Sequence, residues 1–139
     1  MIRPARLSDM AEILALLGKL HGLQSRPLPF DPGHCAKAVA AAISAPDWLA
    51  LVVETEGVTG LLIASVGVTT ISPAKVAHEH AWIAPSGWGA RLAEAYEAWA
   101  RREGCVAMSL ACHPGNARLI ETLEGRGFAP AELTLVKVI

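Results

Sequence analysis

The chain has 139 residues, of which 53% are hydrophobic, 18% charged and 5% aromatic. A chain of this length and apolar content can bury a core that offsets the entropy lost on folding, which excludes wholesale disorder and predicts one domain over residues 1–139. The formal net charge of −1 and the scattered basic residues argue against nucleic acid as the main partner. No apolar run approaches the roughly 18 residues that a membrane span needs.

The three cysteines, Cys35, Cys105 and Cys112, are widely spaced and form no CxxC pair. They are therefore predicted to be small buried thiols of a reducing compartment, not a disulfide framework or a zinc site. Residues 1–4 also lack the apolar stretch with which a signal peptide begins. We therefore expect a cytoplasmic protein.

In chain order, the first half predicts a strand, two helices and two strands, over residues 1–6, 9–21, 34–44, 48–55 and 58–68. Apolar residues at helical spacing predict the first helix, and Ser8 or Asp9 is its predicted N-cap. Three prolines make residues 26–33 a loop. Glu56-Gly57 is a tight hairpin signal between the two strands.

The second half alternates strand and helix, with predicted elements over residues 75–83, 88–103, 106–111, 116–124 and 133–139. Gly104 closes the first of these helices, and Gly125 and Gly127 follow the second. The complete order is βααβββαβαβ, without an internal repeat or a linker. This order predicts a single α/β domain.

The junction between the strand that ends at Ile83 and the helix that begins near Trp88 could hold a ligand. Its turn contains Gly87 and Gly89, which allow the backbone to approach a bound group closely. The unpaired N–H groups and the dipole of the helix start attract an anion such as a pyrophosphate, and Arg91 could add a charge-assisted contact. The alternative is that these residues form only a turn before a helix.

The order of elements and two segments resemble the GNAT superfamily of acyl-CoA-dependent N-acetyltransferases. The segments are residues 83–92, with Ile-Ala-Pro followed by Gly-x-Gly-Ala-Arg-Leu, and residues 116–128, which run from Asn to Gly-Phe. The resemblance covers nearly the whole chain and implies an α/β (α+β) fold with a mixed, mostly antiparallel sheet flanked by helices. It also implies transfer of an acetyl group from acetyl-CoA (acyl-CoA) to a primary amine of a small molecule or protein, by direct attack of the neutral amine and without a metal.

The resemblance assigns coenzyme A to the fourth strand and the helix after it. Backbone groups at the strand end would pair with the pantetheine arm, and the glycine turn would hold the pyrophosphate. Asn116 is expected to cap its helix and could also contact the cofactor. The expected cofactor-binding residues are Trp82, Ile83, Ala84, Ser86, Gly87, Trp88, Gly89, Ala90, Arg91 and Asn116.

The chain departs from the family pattern in two places. The pyrophosphate loop after Pro85 is about four residues short and lacks the family's arginine, for which Arg91 could partly substitute. Many members carry a tyrosine five residues before the position of Phe128, as a general acid for the leaving thiolate, and this chain has Leu123 there. Tyr96, the only tyrosine, is expected in the core.

Glu79 and His113 are the candidate catalytic residues. With strict alternation along the strand, Glu79 shares a face with Ala81 and Ile83, the face that the resemblance turns toward the cleft. There its carboxylate, or a water that it holds, could take the proton from an incoming ammonium; the alternative is a solvated glutamate at a sheet edge. His113 could replace the missing acid, or it could only shape a turn beside Pro114.

His78 and His80 are predicted on the opposite face from Glu79. They could hold a metal, but no nearby Cys or Asp completes a ligand set, so packing against a helix or lining a partner surface is the preferred interpretation. Cys112 lacks a visible base and orienting group, which argues against a nucleophile. The apolar terminal strand and the tryptophans that could be exposed are compatible with a homodimer.

The leading hypothesis is therefore an acetyl-CoA-dependent N-acetyltransferase. The alternative is a catalytically weak or inactive module of the same fold, which binds acyl-CoA or a protein partner; the short loop, Trp88 at the helix start and Leu123 favour it. A third interpretation is an unrelated α/β scaffold with coincidental motif matches.

Overall fold

The computed structural model describes residues 1–24 and 26–139. Its strands are β1 (Ile2–Pro4), β2 (Trp48–Glu54), β3 (Val58–Gly67), β4 (Val76–Ile83) and β5 (Ala107–Ser109). Its α-helices are α1 (Met10–Leu23), α2 (Pro32–Ser44), α3 (Gly89–Arg102) and α4 (Ala117–Glu124), and a short 3-10 helix spans Leu7–Asp9. The predicted order of elements is thus confirmed as far as α4.

The five strands form one sheet in the order β1-β2-β3-β4-β5. The first three pairings are antiparallel, and β4 pairs with β5 in parallel through the crossover helix α3. The predicted α/β (α+β) fold with a mixed, mostly antiparallel sheet flanked by helices is therefore confirmed.

Helices cover both faces of the sheet because neighbouring apolar residues on a strand point to opposite sides. On one face, Val52 and Leu61 pack with Ile13 of α1 and with α2. On the other face, Leu62 packs with α3 residues such as Leu92. Within the described residues, no helix is both long and apolar enough to cross a membrane.

The first helix is anchored differently from the prediction. Asp9 precedes α1 but makes no side-chain cap there. Glu12 instead extends to the β2–β3 hairpin, where its Oε2 accepts a hydrogen bond from Val58 N at 2.8 Å. Gly57 in this hairpin has φ +128, and a Cβ at this position would lie 2.8 Å from the same oxygen. The predicted hairpin is confirmed, and both its backbone conformation and its contact with Glu12 favour glycine.

Helix α2 begins earlier than the prediction, which ended the proline loop at residue 33. It begins at Pro32, and the side chain of Asp31 accepts a hydrogen bond from His34 N at 3.0 Å. Proline is favourable in the first turn of a helix because its missing N–H would have no intrahelical acceptor there. The last proline of the loop is therefore a helix start.

The predicted strand over residues 133–139 is wrong. No strand follows β5 in the described part of the chain, and β5 itself covers three residues instead of the predicted 106–111. The terminal segment is exposed, with Leu135 at 87% and Val138 at 70%. Its alternating apolar pattern is compatible with a strand, but no strand of the described chain pairs with it.

Arg3, Asp9 and Glu54 form a cluster of ion pairs that connects β1 to the 3-10 helix before α1 and to the end of β2. Arg3 makes a bidentate contact with Asp9 at 2.8 and 2.9 Å, and its Nε donates to Glu54 at 2.7 Å. Asp9 also accepts a hydrogen bond from Arg6 N at 2.8 Å and is buried. The hydrogen bonds from Arg3 lower the pKa of Asp9 to about 2.

We expect the free energy of unfolding to fall as the pH is lowered from about 4 to about 2. The unfolded chain takes up a proton at Asp9 near its ordinary pKa of 3.8, whereas the folded chain resists protonation until about 2. The stabilisation is fully present above the unfolded pKa and is lost as the pH falls through the folded one. Urea denaturation between pH 6 and 2 should show a loss of about 2 kcal/mol from this group.

Asp9→Asn should remove this component of the pH dependence and lower stability at neutral pH, because Arg3 loses one of its two charged partners. Asp47→Asn, a matched change in an exposed turn, should leave the pH dependence as in the wild type. An unchanged pH dependence in Asp9→Asn would assign the effect to other carboxylates.

Candidate functional site

The sheet opens between β4 and β5. The two strands pair only over Val76–Ala107, Ala77–Met108 and His78–Ser109. Beyond His78, β4 continues to Ile83 with no strand of the described chain against that side. Its backbone N–H and C=O groups there need other partners, and an extended ligand could supply them in the manner of an added strand.

A β-bulge lies in β4 beside this opening. Ile63 of β3 faces Ala81, but the next residue, Ala64, faces Glu79, so the register skips His80. A bulge adds one residue to one strand and locally disrupts its hydrogen-bond ladder. The bulge therefore changes which residues of β4 share a face.

The predicted face of Glu79 is wrong for this reason. Glu79 faces Ala64, whose side chain belongs to the core beneath α3, whereas Ala81 belongs to the core beneath α1 and α2. Strict alternation would place Glu79 and Ala81 together, but the extra residue between them shifts the pattern by one. Glu79 thus lies on the α3 side of the sheet.

Glu79 bridges the opening where it is narrowest. Its Oε2 accepts a hydrogen bond from Ala111 N at 3.0 Å, which connects β4 to the segment that follows β5. Burial raises the pKa of Glu79, against the smaller opposing effect of this hydrogen bond. A carboxylate whose pKa is raised from its ordinary range binds a proton more readily near neutral pH, as a general base requires.

Two other titratable side chains lie near Glu79. Tyr96 is fully buried, and its hydroxyl donates to the Ser109 carbonyl at 3.3 Å, which confirms its prediction as a core residue. Burial, and then the charge of Glu79, raise the pKa of Tyr96 above its usual range. The same two causes raise the pKa of Cys112. The Cys112 thiol therefore stays protonated, which is unfavourable for a nucleophile.

The turn after β4 leads directly into α3. Trp88 N donates to the Pro85 carbonyl at 3.1 Å, and Gly87 between them has φ +84. A side chain is strained at this φ, and no atom lies within 4 Å of where a Cβ would stand. Helix α3 then starts at Gly89, as the sequence predicted to within one residue. Its first N–H groups have no intrahelical acceptor and form a potential anion site.

Arg91 places a positive charge in the first turn of α3. Its guanidinium carbon lies 4.9 Å from the centre of the Trp88 ring, a cation–π distance. Trp88 therefore positions the arginine beside the helix start. In the sequence analysis, the large side chain of Trp88 favoured a non-catalytic module. Its contact with Arg91 gives this side chain a role that is also compatible with anion binding.

The indole of Trp82 supplies a donor that sequence reasoning missed. Its Nε1 is buried and has no hydrogen-bond partner among the described residues. The adjoining edge of the ring, at Cζ2, lies 3.7 Å from the position of a Cβ on Gly89, so the indole packs against the start of α3. A buried indole N–H normally finds an acceptor, and a ligand oxygen at this turn would fit it.

His113 and Asn116 shape the turn before α4. Asn116 Oδ1 accepts a hydrogen bond from Leu119 N at 3.3 Å, which confirms its predicted cap. Gly115 N donates to His113 Nδ1 at 3.0 Å. Nδ1 must therefore be unprotonated in this arrangement, and any proton on the ring is carried by Nε2.

The two histidines of β4, His78 and His80, lie on the face opposite Glu79. His78 faces Ser65 in the neighbouring strand, and His80 Nε2 is 2.7 Å from the Ser65 hydroxyl. The His80 ring stacks on Trp48 of β2 at 4.7 Å, instead of packing against a helix. Burial, and then the charge of His78, lower the pKa of His80. No cluster of three or more metal-ligating side chains occurs in residues 1–24 and 26–139.

The acetyltransferase (GNAT) family model matches residues 19–128. No curated protein matches the chain in sequence. Among solved structures, the aminoglycoside 6'-N-acetyltransferase of Acinetobacter haemolyticus superposes with a TM-score of 0.74 at 18% identity, covering 100% of this chain and 97% of that one. Glucosamine-6-phosphate N-acetyltransferase of Arabidopsis thaliana has the same score and identity, over 99% and 97% of the two chains.

A third structure, that of AAC(6')-Iy, contains a bisubstrate analogue, CoA-S-monomethyl-acetylneamine. It also superposes with a TM-score of 0.74 at 18% identity, covering 100% of this chain and 97% of that one. At these identities the superpositions establish a shared fold.

Proposed function

Because the chain belongs to the GNAT family of acetyltransferases, we propose that it transfers an acetyl group from acetyl-CoA to a primary amine. One observation carries this proposal: the unpaired edge of β4 runs directly into the glycine turn and helix start at Gly87–Gly89. An extended ligand with a pyrophosphate at one end matches that surface. Relatives of the same fold include proteins described as aminoglycoside and glucosamine-6-phosphate N-acetyltransferases, which favours a small-molecule amine as acceptor.

The pantetheine arm and the pyrophosphate of acetyl-CoA would each meet a matching group in the site. Backbone groups of Trp82, Ile83 and Ala84 would pair with the amides of the pantetheine arm. The N–H groups at the start of α3 would bind the pyrophosphate, with Arg91 as the nearby cation. The free indole N–H of Trp82 would donate to a carbonyl or phosphate oxygen.

Catalysis would depend mainly on holding the amine against the thioester. Glu79, directly or through a water, takes a proton from the ammonium, and the neutral amine attacks the thioester carbonyl. The oxyanion that forms accepts hydrogen bonds from backbone N–H groups of β4 near the bulge, where the ladder is interrupted. The C–S bond then breaks, the nitrogen that attacked releases its second proton to solvent, and the thiolate takes up a proton.

His113 is the candidate donor of that last proton. Protonation of both ring nitrogens would break the hydrogen bond from Gly115 N, so its acid form needs a rearranged turn. Leu123 is buried and has no proton to supply. A proton from solvent is the alternative that needs no rearrangement.

The second candidate function is a non-catalytic module that binds acyl-CoA or a protein partner. The short turn favours it, because only residues 84–88 separate the end of β4 from the start of α3. This turn leaves few backbone N–H groups for the pyrophosphate. Release of coenzyme A thiol, measured with a panel of aminoglycosides, amino sugars and polyamines, separates the two functions. An enzyme releases thiol with at least one amine class, and a module with none.

We expect acetyl-CoA to raise the melting temperature of the protein. A ligand at 100 times its dissociation constant adds about 2.7 kcal/mol to the free energy of unfolding. Arg91→Gln should reduce the shift, because it removes the cation beside the helix start. Arg102→Gln, the same change at the exposed opposite end of α3, should preserve it. Absence of any shift at millimolar acetyl-CoA would contradict the cofactor assignment.

A further inference from the structure

We propose that Tyr96 limits the length of the acyl chain that the protein transfers. Its side chain closes the inner end of the opening between β4 and β5, so that an acetyl group fits there and a longer acyl group does not. We place the thioester of acyl-CoA in this opening, so the inference rests on the proposed function. It follows from where the opening ends, what closes that end, and which way a bound acyl group would point.

The inner end of the opening lies at the last pair of the β4–β5 ladder, His78 and Ser109. Ser109 is held there by both of its oxygen atoms. Its hydroxyl lies within 3.5 Å of the Ala77 carbonyl oxygen and of His78 Nδ1. Its carbonyl oxygen accepts a hydrogen bond from the Tyr96 hydroxyl at 3.3 Å. The Tyr96 hydroxyl therefore lies where the two strands begin to separate.

The ring of Tyr96 fills the space beneath this end of the sheet. It projects from the middle of α3 and is fully buried. Ala64 of β3 and Ala77 of β4 belong to the same core cluster and are also fully buried. These short side chains leave room for the aromatic ring under the sheet. If the ring were shortened, the two alanines could not fill the space, and a cavity would remain behind the opening.

Glu79 closes the same end of the opening from β4. Its carboxylate accepts the hydrogen bond from Ala111 N at 3.0 Å, two residues beyond Ser109. After burial, the charge of Glu79 is the next cause of the raised pKa of Tyr96, as expected for neighbouring side chains. A longer acyl chain would have to displace the Tyr96 ring or desolvate this carboxylate, and both are unfavourable.

The orientation of bound acyl-CoA would point its acyl group at this closed end. With the pyrophosphate at the start of α3, the pantetheine arm runs back along β4 from the C-terminal end of the strand. The thioester then comes to the bulge at His80. The next ladder pair in that direction is His78 and Ser109. The methyl group of an acetyl thioester would therefore face the Tyr96 hydroxyl, and each added methylene would extend the chain toward it.

The test compares the wild type with Tyr96→Phe and Tyr96→Leu, and the probes are acetyl-CoA, propionyl-CoA and butyryl-CoA. The readouts are kcat/KM for thiol release with an amine and the shift in melting temperature, which needs no amine. One methylene in a closed pocket changes kcat/KM by about 10-fold or more. The wild type should therefore prefer acetyl-CoA over butyryl-CoA by at least about 10-fold, and acetyl-CoA should give the larger shift.

The two variants should change this preference in steps. Tyr96→Phe keeps the ring and removes only the hydroxyl oxygen, so propionyl-CoA should gain on acetyl-CoA by about 10-fold while butyryl-CoA remains poor. Tyr96→Leu removes most of the ring, so butyryl-CoA should gain as well. If circular dichroism shows that Tyr96→Leu does not fold, the result for Tyr96→Phe with propionyl-CoA decides.

Leu92→Ala is the matched control. It leaves a cavity in the same core cluster, one turn earlier in α3, and it should lower the melting temperature without changing the acyl preference. Equal use of butyryl-CoA and acetyl-CoA by the wild type, an unchanged preference in the Tyr96 variants, or the same change in Leu92→Ala would each overturn the proposal. A wild type that binds no acyl-CoA would contradict the proposed function itself, and this proposal with it.

Discussion

Replacing Glu79 with glutamine should lower kcat for acetyl transfer by about 10²-fold or more, within the range that a general base contributes. Glutamine keeps the size of the side chain and can still accept the hydrogen bond from Ala111 N. It cannot take up the proton of the ammonium. The shift in melting temperature with acetyl-CoA should therefore persist while turnover with the amine falls.

The pH dependence separates a base from a residue that only supports the site. In the wild type, kcat should fall as the pH is lowered through the raised pKa of Glu79, because the protonated carboxyl group cannot accept a proton. In the Glu79→Gln variant, kcat should not show this fall as the pH is lowered. Glu56→Gln, the same change in the exposed β2–β3 hairpin, should leave kcat unaltered. Equal turnover of Glu79→Gln and wild type at neutral pH would remove Glu79 from the base role.

Shortening Leu92 to alanine should lower the free energy of unfolding by about 2–5 kcal/mol, as for other fully buried leucines. Leu92 has no exposed surface and lies in the first turns of α3, in the core shared with Leu62 and Tyr96. The change removes apolar contacts and leaves a cavity behind the glycine turn. Urea denaturation of the purified variant measures the loss.

Leu23→Ala is the matched control for this measurement. It makes the same chemical change at the end of α1, where the side chain is 63% exposed, and it should alter stability by less than about 0.5 kcal/mol. Similar losses for Leu92→Ala and Leu23→Ala would mean that α3 does not pack as tightly as its burial indicates.

Local patterns were sufficient to predict most of the fold. The helices were predictable because apolar residues at helical spacing form one stripe that can be buried. The turns were predictable because glycine and proline restrict or widen the backbone conformation within a few residues. Gly87 illustrates the point, since its position between strand and helix predicted a turn and its φ of +84 requires one. The family resemblance then implied the mixed, mostly antiparallel sheet that the structure shows, apart from the strand predicted over residues 133–139.

The errors arose where a distant contact decides the local structure. Nothing near His80 in the sequence marks a bulge; the skip appears only in its pairing with β3. The face of Glu79 could therefore not be predicted from alternation. The orphan N–H of Trp82 likewise depends on how β4 packs against α3. Residues 133–139 have a strand pattern, but a strand also needs a partner edge.

The sequential order of the sheet has a consequence for folding. Strands β2, β3 and β4 are joined by short connections, so they can pair soon after each leaves the ribosome, with little loop closure. The parallel β4–β5 pairing must wait for the whole of α3. The opening that holds Glu79 lies at that last junction. We therefore expect the candidate site to be the final part of the sheet to form and, on gentle destabilisation, the first to open.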